Sequence, residues 1–167
     1  MNQFAIIFPG LGTYNIKVLE ALFKKHNIIR QTFTEASDIL HNNIYKDFII
    51  NASDPLYYKK NIYLIIFISS IAIYRTLNKE IDINPGIMGG HSLGQYSALV
   101  CNNNILFQEA LKIIKIRNQI MLLAVKNIRI LNLIILGLNY NIVKRICTSV
   151  STTKKKYLSL LLTQKNK

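Results

Sequence analysis

The segment Gly90-His91-Ser92-Leu93-Gly94 is a G-x-S-x-G motif, and it restricts the fold more than any other stretch of the chain. The pattern calls for a sharp strand-to-helix turn with Ser92 at its tip. Small residues on either side let the backbone bend there and keep the hydroxyl clear. The flanks supply that context: Pro85-Gly86-Ile87-Met88-Gly89 reads as a turn and then a short apolar strand. Leu93-Gly94-Gln95-Tyr96-Ser97-Ala98-Leu99-Val100 reads as the first turns of a buried helix. A nucleophile at a helix N-terminus also feels the positive end of the helix dipole. Three fixed residues in five recur by chance, so the competing reading is a Gly-rich turn around an idle serine.

The rest of the chain alternates strand and helix signals. Residues 3–8 form a short apolar run ended by Pro9-Gly10, which predicts a buried strand. Gly10-Leu11-Gly12-Thr13 is a tight loop without the full glycine pattern or the lysine of a phosphate-cradling loop. Helical spacing follows over residues 16–25, less cleanly over 28–40, and over a short segment at 44–50. Pro55 interrupts before a buried helix predicted at 62–77. Beyond the motif helix, Asn102-Asn103-Asn104 makes a loop. A long helix is predicted over 107–125, with an apolar stripe of Ala110, Ile113, Ile114, Ile120, Met121 and Ala124. Residues 128–136 are β-branched and strand-like. Asn141 can cap a last helix running through about Cys147. This alternation argues for an α/β fold with a mostly parallel sheet.

Composition narrows the function classes. The chain has 167 residues, half of them apolar, and a net charge of +13. A length of this order suits one domain, or a domain and a fragment. Such a charge would ordinarily suggest nucleic acid or an anionic membrane. Here the basic residues are scattered, apart from Lys154-Lys155-Lys156, and no nucleic-acid motif accompanies them. Heavy use of Ile, Asn and Lys points to compositional drift, with attraction to acidic partners as the remaining cause. Cys101 and Cys147 lack metal-ligand spacing and read as buried reduced thiols, which fits the cytoplasm. No signal peptide is expected at the N-terminus. The most apolar run, 62–74, is broken by Ser69-Ser70 and reads as a core helix shorter than a bilayer span. Neither a membrane nor a nucleic-acid partner is expected.

The longer string Gly-His-Ser-Leu-Gly-Gln-Tyr-Ser-Ala-Leu-Val, residues 90–100, resembles the nucleophile segment of malonyl-CoA:acyl carrier protein transacylases. Three further stretches match that family in order. Phe8-Pro9-Gly10-Leu11-Gly12 follows the first strand as the family's Phe-Pro-Gly-Gln-Gly does. Ile71-Ala72-Ile73-Tyr74-Arg75 matches the helix before the nucleophile strand, and Arg117 lies where the family keeps its carboxylate-binding arginine. The resemblance covers roughly residues 3–150. It implies an α/β-hydrolase-like acyltransferase domain over 1–126. Residues 127–150 would be the first strand and helix of an inserted ferredoxin-like subdomain, and 151–167 a divergent tail, for which slippage in a poly-A tract is one origin.

The implied reaction is ping-pong transfer of malonyl from malonyl-CoA to acyl carrier protein, in fatty acid biosynthesis, with no cofactor and no metal. Ser92 would attack the thioester and carry the malonyl ester. The backbone N–H groups of Leu93 and Leu11 would form the oxyanion hole, each worth roughly 3 kcal/mol of transition-state stabilisation. Leucine replaces the family's glutamine at position 11, but a backbone donor survives that change. Arg117 would grip the malonyl carboxylate with its guanidinium fork. His91 is expected to line the pocket rather than act as base, while His26 and His41 read as surface residues.

Two further departures stand out. Tyr63 occupies a place where the family tends to carry glutamine. The family's catalytic histidine lies well downstream of its nucleophile, and this sequence has no histidine after His91. The chain therefore reads as an N-terminal portion of such an enzyme, expected to expose apolar surface and a bare sheet edge. The alternatives are a non-catalytic remnant or carrier-binding module and, less favoured, a serine esterase.

Overall fold

Asn15 sets where the first helix begins. Its side-chain oxygen accepts hydrogen bonds from the backbone N–H groups of Lys17 (3.0 Å) and Val18 (3.4 Å), satisfying donors that a helix start leaves unpaired. The computed structural model describes residues 4–12, 15–50, 55–124, 135 and 137–151. The chain divides into two compact units, Met1–Lys126 and Asn127–Lys167.

In the first unit, strand β1 (Ala5–Phe8) leads to helices α1 (Ile16–Lys25), α2 (Asn27–Leu40), α3 (Ile44–Ile50) and α4 (Pro55–Ile81). Strand β2 (Ile87–Gly90) then returns beside β1 and is followed by α5 (Gly94–Cys101) and α6 (Phe107–Ala124). The strands are parallel, with Ala5 opposite Ile87 and Phe8 opposite Gly90. Parallel strands need a crossover, and here four helices make it.

Local chemistry ends and joins the helices. Arg30 Nη1 donates to the carbonyls of Phe23 (2.8 Å) and Lys24 (2.9 Å), supplying charge and donors at the end of α1. Rings of Phe23, Phe33 and Tyr45 tie α1, α2 and α3 together, Phe23 stacking on Tyr45 at 3.4 Å between centroids. His41 closes α2 in a left-handed conformation, at φ 53°.

Helix α4 is the centre of the unit. Pro55 opens it, at the first helical position where a missing N–H costs nothing, so the helix runs longer than the 62–77 expected from spacing. Ile65, Phe67, Ile68, Ile71 and Ala72 are all buried within it. Two of its buried hydroxyls bond within the helix, Ser70 donating to Ile66 O and Thr76 to Ala72 O, both at 2.8 Å, while Ser69 Oγ is buried without a hydrogen-bond partner among the described residues. The 21 residues Asn61–Ile81 are long and apolar enough to cross a membrane by length and composition, correcting the expectation of a shorter run. Most of that stretch is instead buried against protein, where packing accounts for its apolarity.

Two other expectations change. Strand β1 is not buried throughout: Phe8 is covered, while Ile7 is 67% exposed and its neighbour Ile87 is 68% exposed on β2. Alternation puts Ala5, Ile7 and Ile87 on one face of the sheet, and that face is open. Helix α6 buries Phe107, Ala110, Leu111, Ile114 and Asn118, leaving Ile113, Ile120 and Met121 exposed. Its sequence is apolar around much of the circumference, so periodicity alone chose part of the wrong face.

In the second unit, α7 (Tyr140–Val150) is capped by Asn139, whose side chain accepts from Asn141 N at 2.9 Å. The cap is thus two residues earlier than expected from Asn141. The strand expected at 128–136 and the tail beyond Ser151 lie outside the described residues, apart from Ile135.

Candidate active site

The parallel ladder delivers the chain into the G-x-S-x-G turn. His91 N donates to Phe8 O at 3.1 Å, extending the β1–β2 pairing one residue past the strand. Gly94 N then bonds to His91 O (2.9 Å) and Gln95 N to Ser92 O (3.2 Å), which reverses the chain into α5. Ser92 takes φ 52°, a left-handed conformation that side chains seldom adopt. Its hydroxyl is exposed, as a nucleophile elbow requires.

Both motif glycines are set by close backbone approach. A Cβ on Gly90 would strike the carbonyl of Gly94 and the amide of Gln95; one on Gly94 would strike the carbonyls of Phe8 and Pro9. The β1–α1 loop lies against the elbow, since a Cβ on Gly10 would come within 2.7 Å of His91 Nδ1. Leu11, next in that loop, is half exposed, and Gly12 turns the chain at φ 104°. Among the described residues, the backbone N–H groups of Leu11 and Leu93 donate no hydrogen bond within the protein. His91 is exposed beside Gly10.

Arg117 reaches the serine from α6. Its Nη2 donates to Ser92 Oγ at 3.4 Å, a long bond that joins residues 25 apart in sequence. Its Nη1 is buried without a hydrogen-bond partner, and no carboxylate pairs with it among the described residues. The guanidinium lies over the ring of Tyr63 on α4, with Cζ 5.7 Å from the centroid. Sequence reasoning noted Tyr63 only as a departure. The signal in the sequence is an aromatic residue at a position where the family tends to carry glutamine.

The other histidines lie elsewhere. His41 is exposed, but His26 is half-buried and its Nδ1 sits 3.2 Å from Glu80 Oε1, which corrects the reading of a plain surface residue. Among the described residues, no cluster of three or more His, Cys, Asp or Glu could hold a metal.

Among the described residues, cavities of about 440 and 250 Å³ are lined by neither Ser92 nor Arg117. The larger lies at the far end of α5, between Arg75, Tyr74, Cys101 and Phe107. Arg75 there is already paired with Glu35. Both cysteines are free and half-buried rather than fully buried. Burial pushes the Cys101 thiol up to about 12, with the Arg75 charge working weakly the other way. At pH 8 its thiolate is therefore scarce, and native Cys101 should alkylate about a thousandfold more slowly than an ordinary thiol. Iodoacetamide labelling read by peptide mass would check this. Equal rates in the native and the urea-unfolded chain would contradict it.

No protein-family model matches the chain. It is 40% identical over 148 residues to the malonyl CoA-acyl carrier protein transacylase of Buchnera aphidicola from Schizaphis graminum, covering 88% of this chain and 48% of that protein. The structure also resembles solved ones. An acyl-carrier-protein S-malonyltransferase from Burkholderia pseudomallei has 32% identity and a TM-score of 0.73, over 89% of this chain and 48% of the other. A malonyl-transacylase solved in complex with its type II PKS acyl-carrier protein has 29% identity and a TM-score of 0.74, over the same shares. The chain spans about half the length of the curated relatives it matches.

Proposed function

Because the chain belongs to the malonyl CoA-acyl carrier protein transacylase family, we propose that Ser92 accepts a malonyl group from malonyl-CoA and passes it to the thiol of an acyl carrier protein, in fatty acid biosynthesis. The serine oxygen attacks the thioester carbonyl, the CoA thiol leaves, and a malonyl ester remains on Ser92. The reverse chemistry on the carrier thiol releases it. The unpaired N–H groups of Leu93 and Leu11 hold the oxyanion formed at each attack. Arg117 pairs with the free carboxylate of malonyl, and His91 lines the acyl site. A hydroxyl is a weak nucleophile near pH 7, so a base must take its proton as it attacks.

One observation carries this reading beyond a generic serine hydrolase. A guanidinium with one nitrogen 3.4 Å from Ser92 Oγ and another buried without a partner stands ready for an anionic group on the acyl donor. An ester lacking a distal carboxylate gives that cation nothing to bind. The reading brings with it a cytoplasmic setting, no cofactor beyond the thioester substrate, and residues 127–150 as the opening of a small second subdomain. The chain's strong positive charge suits both the phosphates of CoA and an acidic carrier protein.

Intact-protein mass after mixing the purified chain with malonyl-CoA tests the proposal. A malonyl adduct mapping to the peptide that contains Ser92 supports it. Folded protein that gains no adduct would favour a module that binds carrier or CoA without turning it over.

A further inference from the structure

We infer that Tyr63 is a positioning residue, whose ring holds the Arg117 guanidinium in the orientation that selects an acyl donor with a free carboxylate. The inference rests on the proposed role of Arg117 and adds to it the part of the protein that aims the cation. An arginine side chain has many rotamers and loses entropy when held in one of them. A functional grip therefore needs something that restricts the fork without consuming its donors. A carboxylate would restrict it but would neutralise the charge and occupy the N–H groups that a substrate needs. An aromatic face restricts it differently. The ring quadrupole attracts the cation through its flat side and leaves the in-plane N–H donors free.

The geometry around Arg117 has this form. Cζ lies 5.7 Å from the Tyr63 centroid, within cation–π range. Nη2 reaches Ser92 Oγ, and Nη1 is buried with no partner. Tyr63 is half-buried on α4, next to the buried Ile62 and Leu64, so the rigid central helix fixes its backbone. Arg117 comes from α6, which packs against α4. The two helices thus hold ring and cation in register. The phenol O–H makes no hydrogen bond among the described residues, so the aromatic face, and not the hydroxyl, is the operative part.

The test is calorimetric titration of the full chain with malonyl-CoA and, in parallel, acetyl-CoA. It compares the wild type with Tyr63→Phe, Tyr63→Leu and Tyr63→Met, each checked for folding by circular dichroism. Tyr63→Phe keeps the ring and should match the wild-type preference for malonyl-CoA within about twofold. Tyr63→Leu and Tyr63→Met lose the π face and should lower that preference about tenfold through weaker malonyl-CoA binding, with acetyl-CoA affinity unchanged. Leu and Met variants that retain the preference would overturn the inference and leave the role of Arg117 standing. So would non-aromatic variants that do not fold, because the ring would then serve packing. A wild-type chain with no preference for malonyl over acetyl would overturn the Arg117 reading itself, and this inference with it.

Discussion

Ser92→Ala should abolish malonyl adduct formation while leaving the fold almost unchanged. The side chain is exposed, and among the described residues its one hydrogen bond is the long one from Arg117 Nη2. Removing a bond of that kind costs about 1 kcal/mol or less. The chemistry, in contrast, has no substitute atom. Loss of the nucleophile in a serine enzyme lowers turnover by about 10⁶-fold, and no covalent intermediate can form. Ser92→Gly makes the comparison sharper. Glycine tolerates φ 52° without strain, so this variant should be more stable than wild type by about 1 kcal/mol and equally unable to take the malonyl group. Urea denaturation and intact-protein mass on the same samples would check both halves. An adduct that survives in either variant would move the nucleophile to another residue. A glycine variant less stable than wild type would show that the serine's conformation is not a held strain.

Much of this architecture is legible in the sequence, and the reasons differ by element. Helices α1, α3 and α5 were readable from apolar spacing, because each is short and bounded by polar or glycine punctuation that fixes its ends. The strand-to-helix turn at Ser92 was readable because few backbone paths satisfy glycine on both sides of a serine after an apolar strand. The faces of α4 and α6 were harder. Both are rich in isoleucine and leucine around their circumference, so periodicity carried little information, and tertiary packing chose the buried side of α6. The open face of the sheet at Ile7 and Ile87 was half legible. Apolar composition suggested burial of the strand, whereas the family's greater length suggested bare apolar surface. The pairing of Ser92 with Arg117 came from family position alone, since nothing local ties residues 25 apart. Tyr63 was noticed as a departure, and its place over the guanidinium follows only from how α4 and α6 meet.

Gly90→Ala and Gly89→Ala, one residue apart on β2, should differ greatly in their effect on stability. At Gly89 a new methyl would come 3.4 Å from Ile7 Cδ1, the far end of a flexible side chain on the open sheet face. Ile7 can swing aside into solvent, so the cost should stay within about 1 kcal/mol. At Gly90 the methyl would strike the main chain of Gly94 and Gln95. Those atoms cannot swing aside, because they form the first turn of α5. Gly94 in turn lies against the carbonyls of Phe8 and Pro9, so pushing α5 away from β2 would only drive it into β1. Three backbone segments are thus stacked without a Cβ between them, and relief requires α5 to separate from the sheet. That movement would expose Leu93, Ala98 and Val100, which are buried, so the loss should exceed the usual overpacking cost of about 1–3 kcal/mol. Thermal unfolding followed by circular dichroism should therefore show Gly89→Ala melting close to wild type and Gly90→Ala lacking a cooperative transition. If Gly90→Ala melted within a few degrees of wild type, the close approach of β2 to α5 would be wrong, and with it the physical reason for glycine at that end of the motif.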